Sequence, residues 1–506
     1  MRIAAVASLL CLFAAPALAD TLLLRDGRIV DGRKMVRTAD GVKIEFENGE
    51  VFVQRGIIED ALIEGAESTF TPVTDEERAK VESGLLPYEG RWIPAKRRAE
   101  LVAKKIAAKK ADLEEIRKHA EWKDRWKEST PHFEFEYTVP PHVFTYYRDM
   151  MEAYFTEFAK VWKVSQPKEF GKLLVCFYTN LTEFHRTGGV GGGVRGYFKF
   201  VPPLELNFYY DRIDGRYTEQ VMFHEANHYL QLLLDPKFSM PHFPGEALAE
   251  YYGASVYDPL KKELVVGLVQ EGRLTDIKTQ ADAGEMHDLK KLLETDQLYE
   301  HYSWGWSFVH YLMNRPEHRK KFEKWVMALV KAKDITRESM GDMKTVRGPE
   351  VLRSFMKYMG LKTEEDLKKL EKEWHAYVKD ELSASSARGI AMAAMGAVNT
   401  GRTIRAKRLF KEAIEAGDRT PSTYHEYGRL LMMDDAAALD EAISTFRKAI
   451  ELDPLVGQFY TSLASALIKK EQKPEALKLA KLAMELDPDD MWLQYRAKEL
   501  VEEASK

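Results

Sequence analysis

The stretch FHEANHYLQLLL, residues 223–234, combines a chemical motif with the apolar spacing of a helix. His224 and His228 are four positions apart, so they lie on one face of a helix about one turn from each other. Two imidazoles in this arrangement can bind one metal ion, and the adjacent Glu225 can handle a proton. The stretch therefore predicts a metal-binding helix.

A second acidic segment, PGEALAEYYG at residues 244–253, follows this helix after a short linker. A helix through the segment places Glu246 and Glu250 on one face. That arrangement suits a third metal ligand and a carboxylate that orients one of the histidines. Thr218 is expected to cap the first helix, and Asp235-Pro236 to end it. His242, in the linker KFSMPHFP, is a rival ligand, but its proline neighbours favour a loop or cleft-lining role.

Together the two segments resemble the gluzincin metallopeptidases, such as thermolysin and aminopeptidase N, in which HExxH precedes a separate E-x-x-x-E/D helix. The segment FPGEALAEYYG is similar to WxNEGxAxY of the aminopeptidases, and the likeness extends to exported bacterial proteins with a peptidase-MA-like domain. It covers residues 131–330. The resemblance implies a catalytic zinc ion and assigns its ligands as follows: His224, His228 and Glu246.

The same resemblance implies roles for other residues. Glu225 becomes the general base, and Glu250 the carboxylate that orients His224. Tyr302, in the segment YSWG at residues 302–305, is similar to the tyrosine that steadies the oxyanion in aminopeptidases, with Tyr299 as the alternative. The segment PLELNFYYD, residues 203–211, predicts a strand just ahead of the HExxH helix. The resemblance implies that it is an edge strand that lines the cleft and pairs with extended substrate, although a plain hairpin is equally compatible with the sequence.

Residues 1–19 have the pattern of a secretory signal peptide. Arg2 provides the positive start, residues 3–16 the apolar region, and Ala17-Leu18-Ala19 the cleavage site. The apolar run is too short to span a bilayer. We therefore expect an exported protein, periplasmic or extracellular, cleaved after Ala19 and without a membrane span. Cleavage leaves Cys176 as the only cysteine, so no intramolecular disulfide is expected.

Two regions precede the predicted catalytic domain. Within residues 20–65, the stretches TLLLRDGRIV and ADGVKIEFENGEVFV contain Asp-Gly twice and Asn-Gly once between β-rich runs, which predicts a small β-domain of four or five strands. Residues 66–130 are highly charged and helical in pattern. Their lysine-rich run is followed by acidic residues, and the net charge of the chain is −5, so we expect a solvated helical arm and no nucleic-acid partner.

Residues 131–384 are predicted to form the gluzincin-like domain, with strands ahead of the HExxH helix and mainly helices after residue 258. The glycines Gly191, Gly193 and Gly196 match G-x-G-x-x-G. A dinucleotide site would need a helix directly after them, whereas YFKFVPP predicts a strand and then breakers. We therefore expect a glycine loop that leads into a strand.

Residues 385–506 carry an internal repeat. The segment ELDP at residues 451–454 recurs at residues 485–488, a period of 34. Ala442, Phe446 and Ala449 fit the second helix of a tetratricopeptide repeat, as do Ala476 and Ala483. Three repeats and a capping helix from Met491 predict a solenoid, which binds a protein or peptide or packs against the catalytic domain.

The sequence patterns thus predict an α+β chain with a small N-terminal β-domain and a C-terminal all-α solenoid, and the resemblance implies that the domain between them is a thermolysin/aminopeptidase-like catalytic domain. The function expected is zinc-dependent hydrolysis of peptide bonds, with a peptide or protein as substrate and a protein partner on the repeats. The alternative is a catalytically inactive gluzincin-like scaffold whose repeats bind proteins in the cell envelope. A non-peptide amide is a further possible substrate.

Overall fold

The computed structural model describes residues 20–506 except for 32–33, 64–69, 71, 167–170, 192–193, 213–214, 384–385, 400, 434–435 and 489. The predicted signal peptide lies outside the described residues, as does Gly193. Within the described part of the chain, no helix has both the length and the apolar composition needed to cross a bilayer.

The N-terminal region is a β-domain made of two small sheets. One has the strand order β2-β1-β6 and the other β3-β4-β5, with antiparallel pairing throughout. The described residues of this domain form six strands, whereas four or five were expected, because the chain passes from one sheet to the other between β2 and β3. The bounds are Thr21–Leu24 (β1), Ile29–Asp31 (β2), Lys34–Arg37 (β3), Gly41–Phe46 (β4), Gly49–Gln54 (β5) and Ile58–Leu62 (β6).

The charged region that follows contains a long helix with mostly exposed side chains, and two of its cations form ion pairs with the β-domain. Lys109 reaches Asp60 at 2.6 Å, and Arg117 reaches Asp31 at 2.6 Å. Charge density in the sequence does not reveal that these cations have partners 49 and 86 residues away. The elements are Asp75–Glu82 (α1), Leu85–Tyr88 (β7), Arg91–Pro94 (β8) and Ala95–Lys118 (α2).

The domain that contains the two motif segments is built on a mixed sheet with the strand order β12-β13-β11-β10-β9. Strands β10, β11 and β13 run parallel, and β9 and β12 are antiparallel to their neighbours. The sheet begins at Trp126, ahead of the boundary expected at residue 131. Its elements are Trp126–Ser129 (β9), Phe133–Tyr137 (β10), Pro141–Trp162 (α3), Leu173–Tyr178 (β11), Leu181–Gly188 (α4), Gly196–Lys199 (β12) and Glu205–Tyr209 (β13).

The two motif helices follow directly, as α5 (Gly215–Leu232) and α6 (His242–Gly253). Thr218 does not cap α5, because the helix begins three residues earlier. Its hydroxyl instead accepts a hydrogen bond from the Asp211 N–H at 2.7 Å, which ties the end of β13 to the helix.

The elements after α6 are mainly helical, as expected. Among the described residues, these helices contribute no side chain to the cleft described below; the segments between them and a hairpin line it instead. An unforeseen hairpin, β16–β17, is joined to the linker between α5 and α6 by the Ser239 N–H, which donates to the Lys344 carbonyl at 2.8 Å. The bounds are Val256–Asp258 (β14), Glu263–Val265 (β15), Glu271–Asp282 (α7), Leu289–Glu294 (α8), Trp304–Met313 (α9), Pro316–Lys331 (α10), Glu338–Met340 (β16), Met343–Thr345 (β17), Gly348–Met359 (α11) and Glu364–Ala376 (α12).

The C-terminal region consists of successive helical hairpins and a final helix. Small residues such as Ala442 and Ala476 are fully buried where paired helices approach each other. The helices are Ala387–Asn399 (α13), Thr403–Glu415 (α14), Pro421–Leu431 (α15), Leu439–Leu452 (α16), Gly457–Lys469 (α17), Lys473–Leu486 (α18) and Met491–Ser505 (α19).

The repeats share a core with the β-domain. Tyr460 and Leu482 of the solenoid are buried in one apolar cluster with Val51 and other β-domain residues. Side-chain hydrogen bonds also join the β-domain to the solenoid. The Arg28 guanidinium donates to Asp453 at 2.7 Å, and the Asn48 side-chain amide donates to Glu485 at 2.6 Å. Part of the solenoid surface is therefore occupied within the chain.

The Leu482→Ala variant tests this shared core. Removal of the buried side chain is expected to lower the free energy of unfolding by about 2–5 kcal/mol and to speed amide hydrogen exchange in β4 and β5. Leu467→Ala is the matched control, because it truncates a side chain that is buried in the core of the repeats and not in the shared cluster. It should leave amide hydrogen exchange in β4 and β5 unchanged. Equal exchange in both variants would contradict the shared core.

Candidate metal centre and active-site cleft

A chain of buried side-chain hydrogen bonds holds α5 against α3 and α6. The Asn227 amide, fully buried, donates to the Tyr154 hydroxyl at 2.6 Å. The Gln231 amide donates to Asn227 Oδ1 at 2.6 Å and to the Gly245 carbonyl at 2.9 Å. Because Gly245 immediately precedes Glu246, these bonds set the position of the Glu246 carboxylate relative to α5.

The structure brings together the three predicted metal ligands. One ligand atom each of His224, His228 and Glu246 lies within 4.8 Å of the other two. Glu246 Oε2 is 3.3 Å from His224 Nε2 and 3.6 Å from His228 Nε2. Ligands at 2.0–2.2 Å from a tetrahedral zinc ion are about 3.4 Å apart. The donor atoms therefore fit zinc in kind and in spacing.

The Glu246 carboxylate is buried in a way that calls for a cation. Among the described residues, its Oε2 has no hydrogen-bond partner. Burial opposes ionisation of Glu246, but His224 and His228 outweigh it and lower its pKa to about 2. Burial alone would lower the pKa of His224, whereas Glu246, Glu250 and Glu225 raise it to about 9. Burial lowers the pKa of His228. Glu246 and His224 therefore stabilise each other's charged form.

Glu250 occupies the place expected for an orienting carboxylate. Its side chain is 3% exposed, and its Oε1 lies 3.4 Å from His224 Nδ1. The Arg273 guanidinium reaches the same oxygen at 2.6 Å, and the Gln270 amide donates to Oε2 at 3.3 Å. Since Nδ1 faces a carboxylate, Nε2 of His224 is the nitrogen available to a metal. Arg273 and Gln270 were not foreseen, because no motif marks them.

Glu225 lies beside the cluster and outside it. It lines the cleft, and its Oε2 accepts a hydrogen bond from the Phe198 N–H at 3.2 Å. This contact requires the close approach of β12 to α5. A Cβ added at Gly196 would lie 2.5 Å from Val221 Cγ1 and 3.3 Å from Glu225 Cγ. Gly196, the last glycine of the G-x-G-x-x-G pattern, therefore permits strand–helix packing.

The cleft has a volume of about 460 Å³ and runs from β12 past the cluster to the β16–β17 hairpin. Tyr302 lines it, with its ring 6.0 Å from the His224 ring. Burial and then the nearby carboxylates raise the pKa of Tyr302 to about 12. Its hydroxyl therefore keeps its proton at neutral pH and can donate a hydrogen bond. Tyr299, the alternative, is 76% exposed and is not among the lining residues.

His242 lines the cleft and is not one of the three converging ligands. It is the first residue of α6, and its Nδ1 lies 2.5 Å from Nδ1 of the buried His301. The cleft-lining role expected for His242 agrees with this position. The sequence does not indicate His301, which lies 59 residues further on in a short helical turn.

No protein-family model matches the sequence, and no curated protein matches it. Solved structures similar to this chain include the first TPR domain of Spaghetti (RPAP3) bound to an HSP90 peptide, at 13% identity over 25% of this chain and 99% of that one, with a TM-score of 0.22. YrrB, a TPR protein with an unusual peptide-binding site, matches at 19% identity over 30% of this chain and 79% of its own, with a TM-score of 0.22. The TPR2AB domain of yeast Sti1 in its HSP90 complex matches at 18% identity over 58% of this chain and 98% of that chain, also with a TM-score of 0.22.

These similar structures consist of tetratricopeptide repeats, the repeat type expected for residues 385–506. At these TM-scores the likeness is distant, so the chemistry of the cleft rests on its own residues.

The metal content of the full-length protein tests the cluster. We expect about one zinc ion per chain, because three donors of the right kind converge. The double variant His224→Ala, His228→Ala should lose the metal in elemental analysis. His132→Ala is the matched control, since His132 pairs with Glu152 away from the cleft, and it should keep the metal. Full zinc retention by the double variant would contradict the assignment.

Proposed function

We propose that the chain is an exported, zinc-dependent peptidase that hydrolyses peptide bonds in the cleft beside α5. One observation carries the proposal. His224, His228 and Glu246 converge within 4.8 Å, while Glu225 lines the same cleft without joining the cluster. A purely structural metal site does not need such a separate carboxylate, whereas hydrolysis needs a base beside the metal. The proposed export rests on the signal-peptide pattern of residues 1–19.

Zinc bound by the three ligands would act as a Lewis acid and lower the pKa of a coordinated water towards about 7. Glu225 would hold the proton released by the attacking water and pass it to the nitrogen of the leaving amine. Tyr302 would donate a hydrogen bond to the oxygen on which negative charge develops. Glu250 would keep the His224 ring in the orientation that directs Nε2 to the metal.

The position of β12 supports a peptide substrate. The strand expected at the edge, in residues 203–211, is the internal strand β13, because β12 pairs along its outer side. Among the described residues, β12 is one of the two edge strands of the mixed sheet, and its residues Gly196, Tyr197 and Phe198 line the cleft. An extended peptide beside such a strand pairs through its backbone and places few demands on side chains. This property favours a peptide over a non-peptide amide, which lacks a backbone to pair with the strand.

The Glu225→Gln variant tests the proposed reaction. The Gln side chain keeps an oxygen that can accept the hydrogen bond from the Phe198 N–H, so the fold should remain. Since Glu225 is not one of the three ligands, the variant should still bind about one zinc ion per chain. Hydrolysis of a mixed-peptide substrate should fall by about three orders of magnitude or more, because the amide cannot take a proton. Glu219→Gln, on the same helix and hydrogen-bonded to Tyr146, is the control and should stay active. An active Glu225→Gln protein would mean that this helix performs no such chemistry.

We further propose endopeptidase action. Aminopeptidase N and its relatives bind the substrate α-amino group through a G-x-M-E-N segment ahead of the HExxH helix, and residues 191–211 contain no such segment. Glu205, the glutamate in this region, is paired with Lys199 at 3.0 Å. Acetylation of a peptide N-terminus should therefore leave its cleavage rate nearly unchanged. Mass spectrometry of the products would overturn this proposal if it showed single residues removed stepwise from the N-terminus, and if acetylation of the N-terminus abolished that removal.

The second candidate is an inactive gluzincin-like scaffold whose repeats bind proteins in the cell envelope. Its support is an exposed apolar surface on α19, formed by Met491, Trp492 and Tyr495. Surfaces of this kind often mark sites of protein association. The two candidates differ in what they require of Glu225: only the peptidase needs a free carboxylate at that position. A protein partner on the repeats is compatible with both.

A further inference from the structure

Two histidines pair at the wall of the cleft, and the proposed reaction does not use either of them. His242 lines the cleft, whereas His301 is fully buried behind it. Their Nδ1 atoms lie 2.5 Å apart. Neither ring belongs to the converging ligand set. A hydrogen bond between two imidazoles needs one donor and one acceptor, so the pair has a defined arrangement of hydrogens.

The surroundings of His301 decide that arrangement. His301 Nε2 is 2.8 Å from the Leu292 carbonyl, which can only accept, so Nε2 carries the hydrogen. Burial lowers the pKa of His301 to about 4, so its ring is neutral at neutral pH and its Nδ1 is an acceptor. His242 Nδ1 must therefore donate. A neutral His242 then has a free electron pair on Nε2, the nitrogen remote from His301.

That nitrogen is available to the cleft. Among the described residues, His242 Nε2 has no hydrogen-bond partner, and it is not one of the buried unsatisfied atoms. The His242 ring meets the Tyr302 ring edge-on, with centroids 6.1 Å apart. An acceptor is therefore present next to the hydroxyl that would bind the substrate carbonyl. A peptide bond presents both groups, since its carbonyl accepts and its N–H donates.

We propose that His242 is a substrate-contacting residue whose Nε2 accepts a hydrogen bond from a backbone N–H of the bound peptide. His301 is a positioning residue, because it fixes the His242 ring and its hydrogens without touching the substrate. The inference rests on the proposed function, in that the substrate is a peptide. It also explains a buried histidine behind the cleft, because an apolar side chain there would leave the Nδ1–H of His242 without an acceptor.

Two amide substitutions test the contact. The amide of Asn lies near the position of Nδ1, and the amide of Gln lies near that of Nε2. His242→Asn keeps the bond to His301 and loses the cleft acceptor, so kcat/KM should fall about 10- to 100-fold. His242→Gln keeps a polar group in the cleft and should retain more activity than His242→Asn. A merely structural role predicts the opposite order. The assay uses an internally quenched peptide, blocked at both ends, that the unaltered full-length protein cleaves.

Two further measurements separate this inference from the proposed function. In a Glu225→Gln background, which binds without turnover, His242→Asn should weaken binding of the same peptide by about tenfold or more, with zinc content unchanged. Nitrogen-15 spectra of ring-labelled histidine, with the His242 signal identified by its loss in His242→Asn, should show the Nδ1–H tautomer. An Nε2–H tautomer, or full activity of His242→Asn while Glu225→Gln is inactive, would overturn the role of His242 alone. An unaltered protein that cleaves no peptide would overturn both proposals.

Discussion

The hydrogen bond from the Gln231 amide to the Gly245 carbonyl, at 2.9 Å, sets the register between the two motif helices, and the candidate metal centre depends on it. Gln231 is itself held by Asn227, which is held by Tyr154 of α3. A buried polar chain of this kind is stable only when every member has its partner, so it admits few alternative packings. One turn of slippage would move Glu246 by about 5 Å and separate it from both histidines.

The same register places two carboxylates on opposite sides of the His224 ring. Glu246 Oε2 faces two imidazole nitrogens, and Glu250 faces the opposite side of His224. Arg273 balances Glu250 at 2.6 Å, which leaves Glu246 as the carboxylate that calls for a cation. A metal ion bound by three side chains from two helices would contribute to stability as well as to chemistry. Stability and the proposed reaction are therefore coupled at one site.

The solenoid has a structural role in addition to any partner that it binds. Its Leu482 and Tyr460 complete the core of the β-domain, and the Ser386 hydroxyl donates to Glu271 of α7 at 2.7 Å. A β-domain of this size buries little apolar surface alone, and the added core offsets that deficit. The repeats are thus connected to both preceding regions. The exposed apolar residues of α19 remain on a surface that these contacts do not cover.

The sequence by itself determined the elements whose signals are local. The spacing of His224 and His228, the position of Glu246, the strands around Phe135 and Val175 and the helical repeats all follow from periodicity and motif, which neighbouring residues specify. It did not determine that Thr218 lies within its helix, that α2 forms ion pairs with the β-domain, or that the solenoid completes a second core. It also did not indicate Arg273, Gln270 or His301. These features depend on contacts between residues tens to hundreds of positions apart, and only the folded chain brings such residues together.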